Sequence, residues 1–175
     1  MVFTIGGIVA VLFLIADQIT KAYIAANYSP SDFVGNFIPG VIDFNYINNS
    51  GGAWGLMEGY TWALLAITML LIIICISMLI KNGFKSKLLF WAVCLILSGG
   101  IGNMIDRIFR GGKVVDFIQF AFWKEFPIFN IADCAVCIGA LLLFLYFIAD
   151  IINDRKKQKN INVQISEIKS SEQDN

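Results

Sequence analysis

Four apolar runs, separated by polar connections, dominate the chain. Val2–Ala16 passes through Asp17-Gln18-Ile19-Thr20-Lys21 into Ala22–Ala26. Tyr60–Ile80 holds no charge over 21 residues, Leu88–Ile105 none over 18, and Cys134–Ala149 none over 16. A helix needs about 20 mostly apolar residues to cross a hydrocarbon core ~30 Å thick. The pattern therefore predicts an all-α polytopic membrane protein, with spans at about residues 2–26, 60–80, 88–108 and 131–152. These make one membrane domain, 1–152. The polar remainder, 153–175, reads as a disordered tail. Two connections are long enough to carry structure of their own. In them Val41–Ile47 and Lys113–Phe122 are rich in β-branched and aromatic residues and read as short strands.

The start has no basic residue before Lys21, so it reads as a retained first helix and not a cleaved leader. Basic residues mark the cytoplasmic side. Lys81, Lys85 and Lys87 lie between the second and third spans, and Arg155, Lys156, Lys157 and Lys159 follow the fourth. The connection 27–58 carries Asp32, Asp43 and Glu58 and no base. Both termini are thus expected in the cytoplasm and both long connections outside.

Composition narrows the chemistry. Of 175 residues 58% are hydrophobic, more than the near half of a soluble domain, and mean hydropathy is +0.73. Net charge is zero, which offers nothing to nucleic acid. Histidine is absent, so His-based triads and most catalytic zinc sites are excluded and carboxylates become the acid–base groups to look for. No metal or cofactor is expected. Cys75 and Cys94 sit inside apolar runs as small packing residues. Cys134 and Cys137 form a C-x-x-C, which leaves a membrane thiol oxidoreductase as a competing reading.

Polar residues next to membrane-length apolar runs are costly and need a reason. Asp116 lies between Val114-Val115 and Phe117-Ile118, and Asp133 opens the last apolar run. Asp17 and Lys21 are four apart on one helical face, either a self-neutralising pair or the anchor of a site. Asn48-Asn49-Ser50-Gly51-Gly52 reads equally as a turn or as a close backbone approach. Gly99, Asn103 and Arg107 share one helical stripe, at which a snorkelling arginine is the alternative. On the expected topology all of these fall at the outer face. Asp133 is about 26 Å up its helix from Asp150.

Two carboxylates that approach each other cannot both ionise cheaply, so one keeps a proton while the other takes one from water. That is peptide hydrolysis without serine, cysteine or metal, with Asn103, Asn130 and Arg107 orienting the acids and the substrate carbonyl. Each acid alone also reads as a helix cap or an interface residue. A small transporter using Asp17 and Lys21 as a polar path is the non-enzymatic alternative.

Five stretches, DQITK at 17–21, NNSGGAWG at 48–55, GGIGNMIDR at 99–107, VVDF at 114–117 and FNIAD at 129–133, occur in order across the four spans. Together they resemble lipoprotein signal peptidase (signal peptidase II), the aspartic endopeptidase of bacterial inner membranes. The resemblance implies removal of the signal peptide from prolipoproteins, cleaving before a diacylglyceryl-modified cysteine. Asp116 and Asp133 would be the catalytic dyad. Asp17, Lys21, Asn49, Gly51, Asn103, Arg107 and Asn130 would bind substrate or support the site. The family also implies a small extracytoplasmic β-sheet, a loop over the site, contact with membrane lipid and inhibition by globomycin. Gly52 stands where the family commonly has alanine.

Overall fold

The computed structural model describes residues 2–81 and 86–173, and side chains of residues 3–81 and 86–162. Part of the basic connection around Lys85 lies outside the described residues. Helix α1 (Val2–Asn27) is followed by strands β1 (Phe33–Ile38) and β2 (Ile42–Asn49) and a short 3-10 turn, Ala53–Gly55. Then come helices α2 (Thr61–Lys81) and α3 (Lys87–Phe109), strand β3 (Val114–Phe120) and helix α4 (Ile131–Gln173). Among the described residues four helices are long and apolar enough to cross a membrane: Phe3–Asn27, Thr61–Lys81, Lys87–Phe109 and Ile131–Asn162.

Helix α3 is the hub. Ser86 caps its start by accepting a hydrogen bond from the Leu89 N–H, 3.2 Å away. Leu89, Ala92, Val93 and Leu95 are buried against the neighbouring helices, whereas α1, α2 and α4 present most of their apolar side chains outward, as lipid-facing helices do. Small residues set the closest crossing. At Gly99 an added Cβ would overlap the carbonyl oxygen of Ala132 and the side chain of Val136 on α4. Gly99→Ala is therefore expected to push α3 and α4 apart at their outer ends and to cost about 1–3 kcal/mol. A drop in the thermal unfolding midpoint in detergent checks this, and an unchanged midpoint would show that the crossing yields freely.

The three strands form one antiparallel sheet in the order β1-β2-β3. β1, with Gly35 and Asn36 inside it, has no alternating pattern and forms only as an edge on β2, with irregular register at Phe33/Gly35 and Asn36/Ile38. β3 is central to the site. Its Val114, Val115 and Phe117 are buried, and Val115 and Phe117 pack with Ile24 of α1 and Tyr46 of β2. Asp116 pairs across the sheet with Ile47, two residues before Asn49.

One departure from the apolar pattern is large. α4 does not stop near residue 152 but continues as helix to Gln173, so the polar stretch 153–173 belongs to the same helix. No glycine or proline follows Gly139, so nothing in the backbone chemistry interrupts the helix where its side chains turn polar.

Candidate active site

Helix α4 begins with reciprocal capping. The Asn130 side-chain oxygen accepts from the Asp133 N–H at 2.9 Å, and the Asp133 Oδ2 accepts from the Asn130 N–H at 3.1 Å. This is the geometry of a capping box, with Asp where Glu is usual. Reading Asp133 as a helix cap is thus correct as far as it goes. The other carboxylate oxygen, Oδ1, accepts from the Asn103 amide at 2.7 Å.

Asp116 reaches the same place from β3. Its Oδ1 accepts from the Asn130 amide at 2.6 Å and its Oδ2 from the Asn49 amide at 2.7 Å. Asn130, fully buried, therefore touches both acids, one through its side chain and one through its backbone. The Asn130 amide also donates to the Asn103 side-chain oxygen at 3.1 Å. Both carboxylates line a single cavity of about 530 Å³, open on one side and walled by Phe120, Phe126 and Phe129. Burial, with Asp133 close by, raises the pKa of Asp116 from 3.8 to about 7, against the lowering pull of its two amide donors.

A buried ionic layer sits behind the acids. Lys21, with no exposed surface, pairs with Asp17 at 2.9 Å and Asp106 at 3.5 Å and donates to the Asn103 side-chain oxygen at 2.8 Å. Asp17 Oδ1 accepts from the Ala132 N–H at 2.9 Å and so holds the first turn of α4. Asp17 Oδ2 takes the Gln18 amide, which also donates to the Gly102 carbonyl. The Asp17–Lys21 pair neutralises itself and also anchors the site, so the two readings open in the sequence are not exclusive.

Asp106 was not singled out by the sequence pattern, yet it is fully buried and joins α1, α3 and β3. It accepts from the Val115 N–H at 3.0 Å, one residue before Asp116, and pairs with Arg110 at 3.2 Å. The signal was present: an acid at the end of an apolar run, four residues before an arginine, is the same mark that picks out Asp17.

Asn49 and Gly51 shape the rim. The Asn49 side-chain oxygen accepts from the Gly51 N–H at 2.9 Å, and its amide also reaches the Gly52 carbonyl at 3.2 Å. A Cβ at Gly51 would come within 2.8 Å of the Glu58 nitrogen and the Gly55 oxygen, so the turn closes only over glycine. Gly52, at φ 69°, takes the left-handed conformation that glycine favours. Beyond it Trp54, on the cavity wall, meets Phe126 edge-to-face at 6.2 Å. Arg107 also lines the cavity. Its Nη1 is 3.5 Å from the Asn103 carbonyl, and its buried Nε has no hydrogen-bond partner among the described residues.

The cysteines are all free. Cys134 and Cys137 lie on the cavity wall, whereas Cys75 is buried in the helix core and Cys94 packs beside it. A relay of accessible thiol pairs is therefore not built here.

This arrangement can be set beside known proteins. The lipoprotein signal peptidase of Bacillus pumilus (strain SAFR-032) is 42% identical over 147 residues, which cover 82% of this chain and 92% of that protein. That of Halalkalibacterium halodurans is 38% identical, with 89% and 97% covered. A solved structure described as "Bacterial membrane enzyme structure by the in meso method at 2.3 A resolution" superposes with a TM-score of 0.78 at 33% identity, covering 86% of this chain and 91% of the other. Residues 9–149 match the family model for Signal peptidase (SPase) II. With four membrane-capable helices among the described residues, a site in which the buried Asn130 joins two acids, and a family match over most of its length, this chain belongs to the signal peptidase II family and is a bacterial membrane peptidase.

Proposed function

We propose that the chain removes signal peptides from prolipoproteins by aspartic catalysis, cleaving before the diacylglyceryl-modified cysteine. The observation that carries this reading is Asn130, which joins Asp116 and Asp133 on one cavity wall at 2.6 and 3.1 Å. The two acids share one proton. The ionised acid takes a proton from a water between them, and the resulting hydroxide attacks the scissile carbonyl. The protonated acid polarises that carbonyl and then the leaving amine is protonated. Asn49, Asn103 and Asn130 hold the carboxylates in register. Arg107, which lines the cavity, offers its guanidinium to the substrate backbone.

The site needs no metal and no cofactor for this chemistry. The substrate's apolar segment enters sideways from the lipid, and its acyl chains stay in the bilayer. Lys81 and Lys87 lie at the ends of α2 and α3 away from the acids, and Arg155 to Lys159 lie within α4 past its apolar run. By the positive-inside rule these charges support a reading with both termini in the cytoplasm and the site at the outer face of the inner membrane.

The deciding experiment is an assay of purified protein in detergent with a lipidated signal-peptide substrate, with and without globomycin. Cleavage before the lipidated cysteine, blocked by globomycin, is expected. No product from folded protein would favour a non-enzymatic role.

The proton on Asp116 sets the pH profile. Its folded pKa of about 7 lies above the ordinary 3.8, so the folded state binds that proton more tightly than the unfolded chain does. Its contribution to stability is therefore greatest below the ordinary value and is lost as pH rises through about 7. kcat/KM should be bell-shaped, with an alkaline fall centred near 7 as the shared proton leaves. A profile flat from pH 6 to 9 would sink the shared-proton mechanism.

A further inference from the structure

The cavity carries a feature that hydrolysis by two acids does not use. Cys134 and Cys137 stand one turn apart on α4, both on the cavity wall, starting next to Asp133. Neither thiol is disulfide-bonded. Cys137 is exposed and Cys134 half-buried, whereas Cys75 is 4% exposed within the apolar core. Cys137 lines the same cavity as the two carboxylates, so its thiol is open to a ligand that enters there. Phe120, Phe126 and Phe129 line the same cavity and favour an uncharged, apolar ligand. A cavity of about 530 Å³ is in the range that holds small molecules.

We propose that Cys137, with Cys134 as a slower second, is a covalent ligand site for small, uncharged, apolar electrophiles, and that an adduct there closes the peptidase cavity. With an N-alkyl maleimide the thiolate attacks one alkene carbon. A carbon–sulfur bond forms, the alkene π bond breaks, and the neighbouring carbon takes a proton from water. No oxidant is consumed. Among the described residues neither thiol hydrogen-bonds to either acid or to the asparagines that hold them.

The test uses the full chain, folded in detergent, treated with N-ethylmaleimide and then mapped by peptide mass spectrometry and assayed on a lipidated substrate. Expected are an adduct at Cys137 first, Cys75 unmodified until the protein is denatured, and activity lost in step with the Cys137 adduct. Cys137→Ala should resist that loss, and Cys137→Ser serves if the alanine variant folds poorly. Three results overturn the proposal: Cys75 reacting as fast as Cys137, no adduct at Cys137, or a complete Cys137 adduct with activity unchanged. The loss-of-activity arm rests on the peptidase reading above. The adduct map does not, so an untreated protein that fails to cleave the lipidated substrate overturns only that reading, and the order of modification still decides the site.

Discussion

Asp116→Asn and Asp133→Asn should each abolish cleavage while leaving a folded membrane protein. The isosteric amide keeps an oxygen to accept one hydrogen bond at each site, so the packing survives. The ability to take a proton from water does not. General acid–base groups contribute about 10²–10⁴-fold each, and a pair sharing one proton acts as a unit, so either change should cost at least the upper part of that range. The measurement is product formation from lipidated substrate, alongside a thermal unfolding midpoint to show that the variant is folded. The two variants should differ in stability. Asp116→Asn removes an acid held near neutrality by burial, and should be neutral or mildly stabilising at pH 8. Asp133→Asn disturbs the capping box at the start of α4 and should lose about 0.5–2 kcal/mol. Normal processing by either variant would exclude the dyad.

Lys21→Met should be the most destabilising single change in the membrane domain. It leaves Asp17 and Asp106, which are 1% and 0% exposed, without their shared cation, and removes a donor from Asn103. Breaking a buried ion pair from one side costs about 3–5 kcal/mol because the remaining charge has no partner. Arg110 still faces Asp106 at 3.2 Å, but among the described residues no second cation pairs with Asp17. The loss should appear as a lower unfolding midpoint in detergent, together with lost activity, since Asp17 holds the Ala132 N–H and Asn103 holds Asp133. Changing Asp17 to Asn together with Lys21→Met removes the stranded charge and should recover part of the midpoint. Lys21→Met with stability intact would mean that this layer plays no structural part.

The residues that organise the cavity were legible because membrane chemistry makes them conspicuous. Asp17, Lys21, Asn103, Asp116, Asn130 and Asp133 interrupt or border apolar runs, and the structure joins them in one hydrogen-bonded network. Asn49 and Gly51 stood out equally as a turn or as a close backbone approach, and they prove to be a turn that also delivers an amide to Asp116. Asp106 escaped notice because Arg110 and the polar residues after it made its surroundings look like an ordinary helix end. Its burial comes from β3 folding back over that end.

Apolar run length alone determined the four helices, because a helix is the only open-chain way to satisfy every backbone hydrogen bond inside a bilayer. Enrichment in β-branched and aromatic residues placed β2 and β3 closely, since it is a local signal. Tertiary structure decided what is not local. β1 exists only because β2 offers it an edge. The tail of α4 stays helical because an established helix propagates cheaply through residues that would not start one. Above all, the meeting of Asp116 with Asp133 depends on Asn130 and on the depth at which Gly99 lets α4 press against α3. Sequence spacing allows two groups on different elements to meet, but only packing sets how near they come.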